Sequence, residues 1–238
     1  MHSCTFELYS HGGLYMSIPK VIHYCWFGRN PKPELILKCI ESWKKYCPGW
    51  EIIEWNEDNF DVNFCSYSAR AYKQERWGFV TDPIRFQLVY EYGGVYMDTD
   101  AELIAPIDEY LEHKAFFGYA TSSQIGSGLG FGAEKHNPFI KVMLDHYTSL
   151  PTNSPFIVST EQETPIFKKE YPEFYGDKWL KKDQILGDDI LIIWDIWKYT
   201  IHHYTGTWQS PLQKIFNKTK IIKPIYFWLK KQLKKVRK

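Results

Sequence analysis

FVTDPIRFQLVYEYGGVYMDTD, residues 79–100, is the stretch on which the fold turns. Asp82-Pro83 reads as a helix start: the Asp82 carboxylate caps orphan N–H groups, and Pro83 suits the first helical position, where a missing donor costs little. Ile84 to Tyr92 continues the helix to a Gly93-Gly94 stop, because glycine takes the left-handed conformation that ends helices. Val95-Tyr96-Met97 follows at once as a short apolar strand and delivers Asp98 and Asp100 at its carboxyl end. A helix fed by a tight turn into a buried strand belongs to an α/β sheet, and in such sheets ligands sit beyond the carboxyl ends of the strands.

Reading outward, Lys20–Phe27 is a buried strand, Pro33–Tyr46 an amphipathic helix with Leu37, Ile40 and Trp43 at helical spacing, and Trp50–Trp55 a second strand. Strand, helix, strand is the opening of a parallel sheet. Downstream, Ala115–Tyr119 and Leu129–Phe131 read as strands around a loop rich in Ser and Gly. Pro138–Tyr147 reads as a helix, and Ile190–Trp194 and Tyr199–His203 as two late strands. Residues 151–187 show no clear period. The chain divides into an extension (1–17), one α/β domain (18–211) and a tail (212–238), with Met16 an alternative natural start to Met1.

The bulk composition fits that division. A chain of 238 residues with 44% hydrophobic and 24% charged residues is an ordinary globular protein. Its 18% aromatic content suits stacking on sugar rings, although composition alone favours a large aromatic core. The net charge of +1 conceals a split: ten of the 29 basic residues lie between Leu212 and Lys238, with no acid, leaving 19 against 28 acids elsewhere. That is not a nucleic-acid-binding profile. In the tail, Ile225, Trp228, Leu229, Leu233 and Val236 fall on one helix face with lysines opposite, which predicts an anionic membrane surface as a partner. Five cysteines at wide spacings, with no C-x-x-C, indicate neither a disulfide framework nor a zinc site. With no apolar run of spanning length and no signal peptide, the expectation is a cytoplasmic protein, peripheral on the inner face of the plasma membrane.

The chemistry concentrates at Asp98-Thr99-Asp100. Two acids spaced i, i+2 past a strand end can converge on one hard cation such as Mn²⁺ or Mg²⁺, which would neutralise charge on a phosphate leaving group. A bare D-x-D is common on solvated strand ends; the Gly-Gly turn and buried strand before it give this one a fixed place. Two other readings stay open on the residues alone. In one, an Asp of D-x-D is the nucleophile of a haloacid-dehalogenase-type phosphotransferase, although that motif normally opens its fold. In the other, a non-catalytic sugar-binding module uses the same acids.

Three segments, IPKVIHYCWFG (18–28), FVTDPIRFQLVYEYGGVYMDTD (79–100) and IHHYTGTW (201–208), together resemble the DXD-containing glycosyltransferases of family 32. That family includes bacterial capsular and exopolysaccharide transferases and yeast-type mannosyltransferases. The resemblance implies a GT-A, Rossmann-like fold with a mixed, mainly parallel sheet. It further implies a nucleotide-sugar donor, a saccharide or glycolipid acceptor, a divalent metal and retention of anomeric configuration. No residue stands out as a covalent nucleophile, so a front-face path is expected. By the same resemblance Asp100 is the direct metal ligand, Asp98 contacts ribose and sugar and reaches the metal less directly, and Asp82 and Arg85 grip the sugar hydroxyls. His23, Trp26 and Gly28 lie where the base is held. His203 completes the metal shell, and Thr207 and Trp208 touch the diphosphate. Ser127, in the loop QIGSGLGFG (124–132), lies near the reaction centre, with an ordinary hairpin as the alternative. Asp82 as a helix cap, Arg85 as an ion-pair partner and Trp26 as core are the structural alternatives for those residues.

Overall fold

A computed structural model describes residues 17–121, 123–174 and 181–206. Residues 1–16, Thr207, Trp208 and the basic tail therefore lie outside the described residues. The opening strand-helix-strand forms as expected. Strand β1 (Val21–Cys25) pairs in parallel with β2 (Glu51–Trp55), and helix α1 (Glu34–Tyr46) connects them. The buried stripe of α1 is Ile36, Cys39, Ile40 and Trp43. Leu37, expected on that stripe, is half exposed; the stripe is centred one residue away.

Helix α2 (Ser66–Lys73), not foreseen in the sequence, packs on helix α3 (Trp77–Tyr92). α3 begins five residues before Asp82, so Asp82 is not its cap and Pro83 lies inside it. Asp82-Pro83 imitated a helix start, but Phe79 and Val80 are buried and extend the helix backwards. With Ile84, Phe86, Leu88 and Val89 also buried, α3 is apolar around most of its circumference, which hides the helical period.

α3 ends as expected at Gly93 (φ 69°), and Gly94 (φ 92°) opens β3 (Gly94–Tyr96), parallel to β1. A Cβ on Gly94 would lie 2.8 Å from the Val21 carbonyl oxygen, so only glycine lets β3 lie this close to β1. There follow β4 (Ala101–Leu103), β5 (Ala115–Thr121), β6 (Gln124–Ile125), β7 (Phe131–Ala133), α4 (Pro138–Thr148), α5 (Ser159–Glu170), β8 (Gln184–Leu186), β9 (Ile190–Ile193) and β10 (Thr200–His202). The main sheet has the order β2-β1-β3-β7-β5-β9-β8, with β6 on β5. In it β2, β1, β3, β5 and β9 run one way, and β7 and β8 run against them. This is the mixed, mainly parallel α/β sheet expected.

Successive side chains feed opposite layers, as the pleat requires. Phe117 joins Phe131, Phe139 and Phe167 on one side; Phe116 joins Ile22, Trp43 and Val95 on the other. The later of the two expected late strands is β10. It leaves the main sheet and pairs antiparallel with β4, Ile201 opposite Glu102 and His202 opposite Ala101. β4 starts directly after Asp100, so this small ribbon carries the late histidines back to the D-x-D turn.

Candidate active site

The carboxyl end of β3 opens into a cleft of about 460 Å³, within the range of ligand pockets. Asp98, Asp100, His202 and Tyr204 are among the residues that line it. Oxygens of Asp98 and Asp100 and a ring nitrogen of His202 lie within 4.8 Å of one another, close enough for one ion. His202 Nε2 is 3.3 Å from Asp100 Oδ1 and 3.8 Å from Asp98 Oδ2.

The third group is thus His202, not the expected His203. β10 alternates: Thr200 is buried, Ile201 is exposed, and His202 turns inward. His203 Nε2 lies 2.8 Å from Glu102 Oε2, an oxygen that also receives Lys38 Nζ at 2.9 Å. Alternation along the strand could have found this; spacing to Gly206 pointed to the wrong histidine. Asp100 Oδ2 accepts from both the backbone N–H and the hydroxyl of Thr205, at 2.8 Å each, contacts the sequence did not suggest. His202 Nδ1 accepts from the Tyr204 N–H at 3.2 Å, which leaves the ring proton on Nε2, facing the acids. Burial opposes charge on His202, but the hydrogen bond to Asp98 and the Asp100 and Asp98 charges outweigh it and raise its pKa. A cation would take the place of that proton.

Arg85 lies beside this group and is almost wholly buried. Nη2 pairs with Asp82 Oδ1 at 3.1 Å and with Asp98 Oδ1 at 3.3 Å, and Nη1 donates to Ser127 Oγ at 2.8 Å. The guanidinium also lies 5.1 Å from the centroid of the Tyr96 ring. Burial acts to lower the Arg85 pKa, but Asp98 and Asp82 overcome it and the guanidinium stays charged. For Asp98, burial works upward while Arg85 and His202 pull harder downward, so its pKa falls below the ordinary value. Asp82 is governed by burial, which lifts it to about 8 despite Arg85. Its carboxyl therefore gives up its proton less readily than a solvated one. Asp82 and Arg85 both border the cleft, yet expose only 4% and 3% of their surfaces, so they offer a sugar an edge rather than a full grip.

The nucleotide-side residues divide. Trp26 lines the cleft, its Nε1–H donating to the Asn30 carbonyl at 2.7 Å. Gly28 does not line it. Its φ of 94° and a Cβ position 2.7 Å from the Trp77 ring show that it shapes the turn, and its N–H donates to Glu57 Oε1 at 2.6 Å. His23 is fully buried in the sheet, against the expectation of a base contact. Its Nε2–H donates to the Gly93 carbonyl at 2.9 Å, its Nδ1 accepts from Trp55 Nε1 at 3.1 Å, and burial drives its pKa down to about 4. Ser127 is likewise buried. Its neighbours Gly126 and Gly128 border the cleft, but its hydroxyl turns inward to Arg85 and to Glu163, at 2.8 Å each, so it supports the site from below. Glu163 escaped the sequence reading because α5 carries Pro165 and no clear period.

Residues 33–117, which include the D-x-D turn and the Arg85 helix, match the family of the glycosyltransferase sugar-binding region containing DXD motif. Over that stretch the chain carries the sequence pattern of a glycosyltransferase sugar-binding region. The domain is similar to inositol phosphoceramide mannosyltransferase 1 of Schizosaccharomyces pombe, 30% identical over 135 residues, covering 52% of this chain and 40% of that protein. It is 27% identical over 142 residues to inositol phosphoceramide mannosyltransferase 3 of the same yeast, covering 56% of this chain and 38% of that protein. The chain thus spans less than half the length of either relative. Among solved structures, PaToxG Glycosyltransferase superposes with a TM-score of 0.49 at 17% identity, over 65% of this chain and 70% of that one.

Proposed function

We propose that the chain is a retaining, metal-dependent hexosyltransferase that takes a sugar from a nucleotide donor and passes it to a saccharide or lipid-linked saccharide. The observation that carries this reading is the convergence of Asp98, Asp100 and His202 beside Arg85 in one cleft. Two carboxylates and an imidazole suit Mn²⁺ or Mg²⁺, with the nitrogen favouring Mn²⁺. The cation, when bound, supplies charge to neutralise the departing diphosphate. The chain's own residues do the rest. Arg85 holds Asp98 Oδ1 and leaves Oδ2 facing His202. Asp82 presents a carboxyl oxygen to a sugar hydroxyl at the cleft edge. Trp26, which also lines the cleft, offers an aromatic ring to a base.

The names of the two yeast relatives support mannose as the sugar and a lipid-bearing acceptor. Membership of family 32, a bacterial polysaccharide acceptor and attachment to the inner membrane face through residues 212–238 belong to the same proposal. A screen of UDP- and GDP-hexoses for Mn²⁺-stimulated hydrolysis tests it, and GDP-mannose is expected to turn over fastest. Donor binding with no metal-dependent turnover of any hexose would contradict it and mark a sugar-binding module.

A further inference from the structure

Glu163 lies outside the cleft lining, touches neither Asp98, Asp100 nor His202, and is fully buried. Its Oε1 accepts from the Ser127 hydroxyl at 2.8 Å and from the Tyr147 hydroxyl at 3.3 Å. Its Oε2 is buried with no hydrogen-bond partner. A carboxyl in such a place is costly, so a compensating role is called for. The geometry supplies one. Ser127 has a single proton, and it goes to Glu163; its oxygen is thereby turned to accept from Arg85 Nη1 at 2.8 Å. With Nη1 anchored there, and Nε and Nη2 also donating to the Thr81 carbonyl and hydroxyl at 3.4 and 3.2 Å, the planar guanidinium has one orientation, in which Nη2 meets Asp82 and Asp98. The same loop is pressed onto Asp98: a Cβ on Gly128 would lie 2.1 Å from Asp98 Oδ2, and the Asp98 N–H donates to the Gly128 carbonyl at 3.3 Å.

We infer that Glu163 is a positioning residue that acts through Ser127 and Arg85 to aim Asp98 Oδ2 at the cation site. α5 thereby sets the geometry of a site to which it gives no ligand. This rests on the metal-site reading above but not on any sugar chemistry.

The test uses the full chain and Mn²⁺ alone, with free Mn²⁺ read by electron paramagnetic resonance and folding by thermal melting. Glu163→Gln keeps an oxygen for Ser127 and is expected to hold Mn²⁺ within about twofold of the parent. Glu163→Leu and Ser127→Ala should each weaken Mn²⁺ about tenfold, the usual scale for a lost supporting contact. The double variant should be no weaker than the worse single one, because both break one chain of contacts. If the two losses multiply, or if Glu163→Leu lowers the melting temperature and leaves Mn²⁺ affinity intact, the proposal is overturned. Ser127→Ala removes one oxygen only and decides the matter if Glu163→Leu does not fold: unchanged Mn²⁺ affinity in it also overturns the proposal. No donor is present, so absence of sugar turnover in the parent chain sinks the transferase reading alone.

Discussion

Asp98 gives Oδ1 to Arg85 at 3.3 Å and turns Oδ2 toward His202 at 3.8 Å, so one carboxylate serves both an ion pair and the candidate cation site. The partner histidine follows from the strand: His202→Ala should weaken Mn²⁺ binding by about tenfold or more, whereas His203→Ala, which only releases Glu102, should change it less than about threefold. Calorimetric titration of both variants checks this, and the opposite ranking would restore His203. His23 carries a pH prediction. It is neutral and buried with its pKa lowered to about 4, while the unfolded chain titrates near 6.5. The unfolded state then binds the extra proton between these values, so the His23 contribution is intact above about 6.5 and lost as pH falls toward 4, by about 3 kcal/mol. In urea unfolding, His23→Gln should show a shallower loss of stability over that window than the parent; parallel curves would mean that His23 is solvated. The acids of the D-x-D turn were legible because chemistry and backbone signal coincide there. His23 and Ser127 were legible as positions but not as orientations, since which face a side chain takes is set by packing.

At the scale of elements, the Gly93-Gly94 turn fixes the height at which β3 delivers the acids. Gly94→Ala would put a Cβ 2.8 Å from the Val21 carbonyl oxygen in a conformation with φ of 92°. A loss of about 3 kcal/mol is expected from strain and backbone collision together, read as a lower denaturation midpoint. An unchanged midpoint would show that the β1–β3 approach is looser than this. β1, α1, β2 and β9 were readable from apolar runs and spacing. The start of α3 was not, because Asp82-Pro83 carries the local chemistry of a cap while tertiary burial of Phe79 and Val80 extends the helix past it. α5 and β4 were hidden as well, the first by Pro165 and the second by its length of three residues. These two elements bring Glu163 and the β10 ribbon to the site, so what the sequence concealed is mainly the supporting layer of the cleft.

Across the whole molecule, the acidic body and the basic tail ask for different surroundings. Deleting residues 212–238 removes ten cations and no anion, and should abolish most binding to vesicles containing phosphatidylserine while leaving neutral vesicles unaffected. Equal partitioning of both chains in a sedimentation assay would end the anchoring idea. The sheet places the cleft where its order passes from the parallel strands β1 and β3 to the reversed β7, and β10 closes it from outside the sheet. In the proposed function, one cation at the Asp98–Asp100–His202 cluster is shared between protein acids and a diphosphate. Linkage makes that directly measurable: if one ion touches both, each must strengthen the binding of the other. Calorimetric titration of GDP into the full chain, with and without Mn²⁺, should show affinity raised about tenfold or more by the metal in the parent and not raised in Asp100→Asn. An equal rise in Asp100→Asn, or none in the parent, would contradict the account.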